Sequence, residues 1–278
     1  MKIVRDQNMD GKLTGKVFFI TGCTSGLGLE TARAIHATGA DIYFTGRDAQ
    51  KGKEIREALL RDGKPGKAEY VEMHLDSLGS VRAAATEFLR SDKLNVLICS
   101  AGVRCCLKGK TKDGFELHFR IKHLGHFALF QALKDILIAS STASFHSRFI
   151  SLSASGHRQS GIRFDDIHFD KIEKNTSLFL AMRSLHGLAV HPGGITGTSL
   201  NCLTPADQIT ALVAIPDAAI CLKSAEQGAA TTVWAAIAKE LEGKGKDTQR
   251  IVRKAASRPW EESLRMISPD TKGEANVS

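Results

Sequence analysis

The stretch VFFITGCTSGLGLETARAIHATGADIYFTGRD, residues Val17–Asp48, decides the fold of this chain. It opens on a continuous apolar run, VFFIT at 17–21, which has the length of a buried strand. A glycine-rich turn follows, then LETARAIHATG with helical spacing, then a second apolar run, DIYFT at 41–45. Apolar strands that alternate with helices are typical of βαβ units, in which helices cover both faces of a parallel sheet. The stretch therefore predicts the first such unit of an α/β fold.

The same alternation continues through most of the remaining chain. Further strands are predicted in EYVEMHLD, NVLICSAG, RFISLSAS and LHGLAVHPGG, and further helices in AQKGKEIREALLRDG, SVRAAATEFLRS, FELHFRIKHLGHFALFQALKDILIAS and SAEQGAATTVWAAIAKEL. This order predicts a doubly wound parallel sheet of the Rossmann type in a single domain. We expect that domain over residues 15–245, with an N-terminal extension over 1–14 and a polar, loosely packed C-terminal tail over 246–278.

Composition excludes several classes of protein. The chain has 278 residues, 42% of them hydrophobic, which suffices for a substantial core, and no apolar run approaches the roughly 18 residues of a membrane span. The six cysteines form no Cys-x-x-Cys pair, so we expect reduced thiols in a cytoplasmic protein and no metal site. Because the net charge of +8 is dispersed and 6% of residues are aromatic, no nucleic-acid surface is expected. A generally basic surface and an anionic ligand both fit this charge.

The turn after the first strand carries Gly22, Gly26 and Gly28 in the spacing Gly-x-x-x-Gly-x-Gly. Backbone amides at the start of the next helix point into such a turn, and glycines let a pyrophosphate approach the backbone closely. Because a strand precedes the turn and a helix follows it, we predict a dinucleotide cradle here. The predicted cradle also includes Thr24, Ser25 and Leu27. The alternative is that the glycines only permit tight packing of the strand against the helix.

The end of the second strand bears on the choice between NADP and NAD. Arg47 offers a planar donor fork and Lys51 a second positive charge, which favours a cofactor with a ribose 2′-phosphate, NADP(H). Asp48 lies beside them and leaves NAD(H) open, since an acid at this point suits a ribose 2′-hydroxyl. The alternative is that Arg47 and Lys51 are solvated surface cations.

Several motifs resemble the short-chain dehydrogenase/reductase family, in particular its retinol-dehydrogenase-like branch with the fungal members. The matching stretches are TGCTSGLG (21–28), HLD (74–76), CSAG (99–102), KDGFE with HLGHF (112–127), SGHR (155–158), FDDIHF (164–169) and HPGGITGTSL (191–200). The resemblance implies hydride transfer between NADP(H) and a small-molecule carbonyl or alcohol, in a setting such as fungal secondary metabolism. It also implies a homodimer, with a twin subunit packed against the apolar helix HFALFQALKDILIA.

The resemblance also assigns roles to residues beyond the glycine turn. Asp76 would hold the adenine amine. Those lining the cofactor ribose would be Ser100, Ala101 and Gly102, and those facing the nicotinamide would be Pro192, Gly193, Ile195 and Thr198. Lys122 stands where the family has an Asn, and its ammonium beside the nicotinamide would favour the reduced, uncharged ring over the oxidised, positive one.

The catalytic positions are where this chain departs from the family pattern. The family uses a Tyr as general acid/base, a Lys that lowers the pKa of that Tyr, and a Ser that binds the substrate oxygen. This chain has two tyrosines, Tyr43 and Tyr70, both on the adenine half of the predicted sheet, and it has no Tyr-x-x-x-Lys. Ala154 stands at the position of the Ser. The remaining catalytic candidates are Ser153 and Ser155, with Lys174 as the nearest relic of the Lys.

The connection between two of the predicted strands is short, which supports the loss of a segment that carried the Tyr. Between RFISLSAS and LHGLAVHPGG, residues 171–183 are available for a helix, which is roughly 20 Å at 1.5 Å per residue. We infer that a segment carrying the Tyr has been lost, in evolution or through a mis-spliced or mispredicted reading of the gene. Two hypotheses follow: an NADP-dependent oxidoreductase, or a catalytically impaired relative that binds a nucleotide or a partner subunit. Alternative acid/base candidates are His157, His168, His186 and His191. The other interpretation of His157 and His191 is that they are structural residues at strand ends.

Overall fold

The computed structural model describes residues 2–103, 109–111, 113–153, 166, 188–195, 198, 200, 222–242 and 261–268. Its strands are β1 Val17–Ile20, β2 Asp41–Gly46, β3 Ala68–Glu72, β4 Val96–Cys99, β5 Arg148–Leu152, β6 Leu188–Val190, β7 Gly194–Ile195 and β8 Leu222–Lys223. Its helices are α1 Lys2–Asp6, α2 Gly26–Ala37, α3 Ala49–Arg61, α4 Leu78–Phe88, α5 Leu117–Phe119, α6 Gly125–Ala139, α7 Ala225–Ile237 and α8 at 261–267. A π-helical turn, Arg120–Leu124, joins α5 to α6, and a 3-10 turn, Lys239–Leu241, follows α7.

Six strands form one sheet in the order β3-β2-β1-β4-β5-β6, and every pairing in it is parallel. This confirms the predicted doubly wound α/β fold. The order runs outward in both directions from β1, so the chain reverses its winding between β1 and β4. Ligands of open α/β sheets bind at the carboxyl ends of the strands beside such a reversal. The glycine turn directly follows β1 and therefore lies at that point.

The strand β1 is apolar throughout because both of its faces are covered. Phe18 and Ile20 pack into the core with α2 and α7, whereas Val17 and Phe19 pack on the opposite face with α4 and α6. Side chains of a strand alternate between faces, so a continuous apolar run is needed where both faces are buried. Full burial of each Phe or Ile side chain stabilises the fold by about 1.5–3 kcal/mol.

The long helix predicted from FELHFRIKHLGHFALFQALKDILIAS contains a π-helical turn. The helical segment runs from Leu117 to Ala139, and residues Arg120–Leu124 adopt the π conformation. Such turns insert one extra residue into the helix and recur at functional sites. Lys122, which stands at the position of the family's Asn, lies in this turn.

Both chain ends contribute to the packing. Val4, Met9 and Leu13 of the N-terminal segment are buried in the same cluster as α2 and α7. Near the other end, Ser263 of α8 is 2% exposed, and Arg82 donates a hydrogen bond to the Ile267 carbonyl oxygen. Residues 261–268 thus pack against the sheet domain, unlike the loose tail expected from their polar composition. The boundaries at residues 14 and 246 stay predictions.

Among the helices that the structure describes, none combines the length and the apolar character that crossing a membrane requires.

Candidate functional site

The glycine turn after β1 is shaped by close contacts that exclude side chains. Gly22 has φ +75°, and a Cβ there would lie 2.7 Å from the Ala101 Cα atom after β4. A Cβ on Gly28 would overlap the Gly22 carbonyl oxygen, and Gly26 has φ +56°. These positions therefore need glycine for the packing of β1, α2 and the end of β4. Gly22 and Gly28 are thus required for packing, and the same contacts leave the backbone of the turn free of side chains, as a bound pyrophosphate requires.

The N-terminus of α2 faces this turn. Ser25 is the N-cap residue, and its carbonyl oxygen accepts the first helical hydrogen bond, from the Leu29 amide at 3.3 Å. The amides of Gly26, Leu27 and Gly28 precede that bond, so helix geometry gives them no partner within α2. Together with the helix dipole they favour a bound anion. The arrangement suits a phosphate group of a dinucleotide.

A wall beside the turn is formed by the end of β4. The Thr21 hydroxyl accepts hydrogen bonds from the backbone amides of Ser100 and Ala101, each at 3.0 Å, and lies 2.9 Å from His126 Nε2. The Ser100 Oγ atom is buried and has no hydrogen-bond partner among the described residues. The Ala101 backbone lies against Gly22, so the segment after β4 adjoins the glycine turn, where the sequence predicts the cofactor ribose.

The turn between β2 and α3 presents the predicted 2′-phosphate residues. Arg47 and Lys51 are exposed. The Asp48 carboxylate accepts a hydrogen bond from the Lys51 amide at 3.0 Å and so caps α3. Asp48 thus has a structural role as an N-cap. The Tyr70 hydroxyl donates a hydrogen bond to the Gly46 carbonyl oxygen at 2.9 Å, which ties β3 to the residue before this turn.

Residues after β6 reach the same edge of the sheet. Pro192 is buried, Gly193 has φ +91°, and the Gly193 amide donates to His191 Nδ1 at 2.8 Å. The methyl carbon of Thr198 would lie 3.2 Å from a Cβ on Gly26, so Thr198 adjoins the glycine turn. The structure brings this part of the predicted nicotinamide side together with the cradle. The His191 ring thus contacts the backbone directly after β6, and its role stays a prediction.

The remaining predicted residues lie in several places. Ile195 is in β7 and packs against Gly228 of α7. Asp76 lies between β3 and α4. Burial lowers the pKa of Arg120, and the negative charge of Asp76 is one of those that raise it. The Ser153 amide donates to the Val190 carbonyl oxygen at 2.8 Å, so Ser153 ends β5 beside β6. Outside the described residues lie Ala154, Ser155, His157, His168, Lys174 and His186.

Both tyrosines of the chain lie on the adenine half of the sheet, as predicted. Tyr43 is in β2 and packs edge-to-face against Phe88 of α4, with ring centroids 4.8 Å apart. Tyr70 is in β3, where its ring covers Gly52 and burial, with the charges of Glu72 and Asp48, raises its pKa to about 12. The strands β2 and β3 are separated from β5 by β1 and β4. Neither tyrosine is therefore placed to serve as the acid/base beside Ser153.

Two residues of the site were not singled out from the sequence, Thr21 and His126. His126 is buried, and this burial is the main reason that its pKa is lowered to about 4. The hydrogen bond to the Lys122 carbonyl oxygen raises the pKa, and the Arg120 charge lowers it by a smaller amount. A histidine inside an otherwise apolar helix, HFALF, was the available signal.

Cys23 and Cys99 are buried beside the same edge of the sheet, and burial raises the pKa of both thiols. Among the described residues no three His, Cys, Asp or Glu side chains cluster to hold a metal.

The cradle at the reversal of strand order, the N-terminus of α2 and the wall after β4 define a nucleotide-binding protein of the Rossmann type. Residues 16–145 match the family model described as short chain dehydrogenase. The chain is 37% identical to short-chain dehydrogenase/reductase prx1 of Penicillium rubens, over 88% of this chain and 76% of that protein. The chain belongs to the short-chain dehydrogenase/reductase family, as the sequence motifs predicted.

Further relatives confirm the predicted branch of the family. Oxidoreductase calI of Penicillium decumbens is 34% identical, over 98% of this chain and 92% of that protein. Retinol dehydrogenase 12 of Mus musculus is 33% identical, over 83% of this chain and 76% of that protein. The solved structure of the Pseudomonas aeruginosa RhlG/NADP active-site complex has a TM-score of 0.61 at 18% identity, covering 82% of this chain and 91% of that one. This last likeness supports the fold alone.

Proposed function

We propose that this chain binds NADP(H) in the cradle and acts, as an oxidoreductase, on a small-molecule carbonyl or alcohol. The observation that carries the proposal is the glycine turn at the reversal of strand order, beside the wall of Thr21, Ser100 and Ala101. The amides of α2 would hold the pyrophosphate, and the segment after β4 would line the ribose. The bound cofactor would supply or accept the hydride.

The choice of NADP(H) over NAD(H) rests on Arg47 and Lys51. Because the Asp48 carboxylate caps α3, Arg47 and Lys51 are the exposed charges left at this turn to meet the ribose. In fluorescence titrations, Arg47→Ala should weaken NADPH roughly tenfold or more and leave NADH unchanged, since the 2′-phosphate loses a charge-assisted hydrogen bond. Lys53→Ala, which removes an exposed cation of the same helix, is the control. Equal weakening of both cofactors, or tighter binding of NADH by the parent, would contradict this choice.

A second candidate function is a nucleotide-binding relative with impaired catalysis. Both tyrosines are engaged on β2 and β3, and the alignment with calI has 327 positions, 49 more than the 278 residues of this chain. That excess supports the inferred loss of a segment. Loss of a positioned general acid/base lowers rates by roughly 10²–10⁴-fold. We therefore expect bound NADPH to be oxidised by generic aldehydes and ketones at or near the background rate.

Spectrophotometric NADPH consumption tests this second candidate. Robust turnover that persists after trace contaminants are removed, and that disappears in Ser153→Ala, Ser155→Ala or His157→Ala, would show that a substitute acid/base operates. Sequencing the transcript over residues 165–180 separates the two origins of the gap. An in-frame Tyr-x-x-x-Lys segment there would restore the enzyme hypothesis.

We propose a cytoplasmic location and a homodimer as further expectations of the family resemblance. The six cysteines without a Cys-x-x-Cys pair support a reducing compartment. Ile138, near the end of α6, is 70% exposed, which supports a twin subunit against that helix. Light scattering of the purified chain would give twice its mass of 30.1 kDa if the dimer forms.

A further inference from the structure

The Thr21 hydroxyl makes three hydrogen bonds whose directions can be assigned. A hydroxyl has one proton to donate and two lone pairs to accept with. The amides of Ser100 and Ala101 are donors and occupy both lone pairs of the Thr21 Oγ1 atom. The third contact, at 2.9 Å to His126 Nε2, must therefore use the hydroxyl proton. His126 Nε2 is the acceptor that fixes the rotation of this hydroxyl.

The other ring nitrogen of His126 is consistent with this assignment. If Nε2 accepts, the neutral ring carries its proton on Nδ1, and Nδ1 lies 3.3 Å from the Lys122 carbonyl oxygen, which can only accept. The ring is thus held between the π-helical turn and the end of β1. Thr21 is 0% exposed and His126 is 3% exposed, so water does not replace either partner.

We propose that His126 is a positioning residue for the cofactor: through the Thr21 hydroxyl it holds the Ser100 and Ala101 amides in place, and with them the backbone after β4 that lies against the glycine turn. This rests on the proposed function. Without an acceptor, the buried Thr21 hydroxyl either stays unpaired or turns its proton toward a position now occupied by an amide. In both cases the wall loses the fixed geometry that a preformed site requires.

His123 provides a matched comparison three residues earlier in the same helical segment. It is 4% exposed, and burial, with the His126 charge, lowers its pKa to about 4. Its Nε2 atom lies 2.7 Å from the Ser263 hydroxyl of α8, away from the Thr21 wall. A purely structural role of buried histidines predicts equal effects of changing either residue, whereas the positioning role predicts an effect at His126 alone.

Two amide substitutions separate the two bonds of His126. The Gln side chain places a polar atom near the position of Nε2 and can still accept from Thr21, whereas Asn reaches the position of Nδ1 and keeps the Lys122 bond. We expect His126→Asn to raise the Kd for NADPH about tenfold, and His126→Gln and His123→Asn, which loses the matching Nε2 bond to Ser263, to stay within about threefold of the parent. Thermal unfolding of each variant establishes that it is folded.

Amide hydrogen exchange provides a readout that does not need the cofactor. In His126→Asn, exchange at the Ser100 and Ala101 amides should accelerate about tenfold, and in His126→Gln and His123→Asn it should stay as in the parent. Unchanged exchange at these amides in His126→Asn, or equal acceleration in His123→Asn, would overturn the inference. If the exchange pattern holds but the parent binds no NADPH, the proposed function fails while the positioning of the wall by His126 stands.

Discussion

Acid should destabilise this protein over the pH interval in which two buried histidines are neutral in the folded state but protonated in the unfolded state. In the folded state the pKa of His123 and that of His126 are both about 4, against 6.5 for an ordinary histidine. Below pH 6.5 the unfolded chain takes up protons that the folded chain does not, so the stability is complete above pH 6.5 and is lost as the pH falls toward 4. Each imidazole accounts for about 3 kcal/mol over that interval.

The expected slope is large relative to the stability of a domain. With both histidines nearly neutral in the folded state, the free energy of unfolding should fall by about 2.3 kcal/mol between pH 6 and 5. Total stabilities of domains are about 5–15 kcal/mol, so the chain should approach its unfolding midpoint in mild acid. The groups that face the two rings are the Lys122 carbonyl, the Thr21 and Ser263 hydroxyls and the Arg120 charge.

Urea denaturation at pH 7, 6 and 5 measures this slope. His123→Gln and His126→Gln should each reduce it by about half, because the amide does not titrate. Gln50→Ala, which changes an exposed side chain that does not titrate, is the control and should keep the slope of the parent. A free energy of unfolding that is the same at pH 7 and pH 5, or a double variant that keeps the full slope, would refute the reasoning.

Three further predictions test other contacts. Gly28→Ala should destabilise the fold by about 1–3 kcal/mol in urea denaturation, because the new Cβ overlaps the Gly22 carbonyl oxygen, and should weaken NADPH binding. Glu242→Gln should lower the free energy of unfolding by about 2 kcal/mol and the midpoint of thermal unfolding, since the Arg148 guanidinium, 6% exposed, loses its ionic partner. Lys122→Asn should bring the Kd values for NADP⁺ and NADPH closer together in paired titrations, because it removes the proposed cation beside the nicotinamide.

The local pattern of apolar residues was sufficient to predict the six-stranded sheet. The run at Val17–Ile20 predicted β1 because its apolar character is continuous, and the turn residues after it located the strand end. Pattern could not predict the π-helical turn at Arg120–Leu124, since the hydrophobic residues there fit an ordinary helix equally well. The helix α8 was missed because its seven residues are too few to show a period.

The candidate site divides in the same way. The glycines and Arg47 could be proposed from the sequence because each would act within a short stretch around one turn. The bond between Thr21 and His126 joins residues 105 positions apart, and no local pattern indicates it. The role of Asp48 depended on whether its side chain turns toward the ligand or back onto α3, which the sequence leaves open and the cap settles.

The contacts of Gly22 and Gly28 bear on how this lineage evolves. Both glycines are required by the packing of β1, α2 and the Ala101 backbone, whether or not a cofactor binds. Purifying selection for folding alone would therefore preserve them after a reaction has ceased to matter. The glycine motif in a genome sequence therefore indicates that the encoded chain adopts this fold, and by itself it does not show that the chain is an active enzyme.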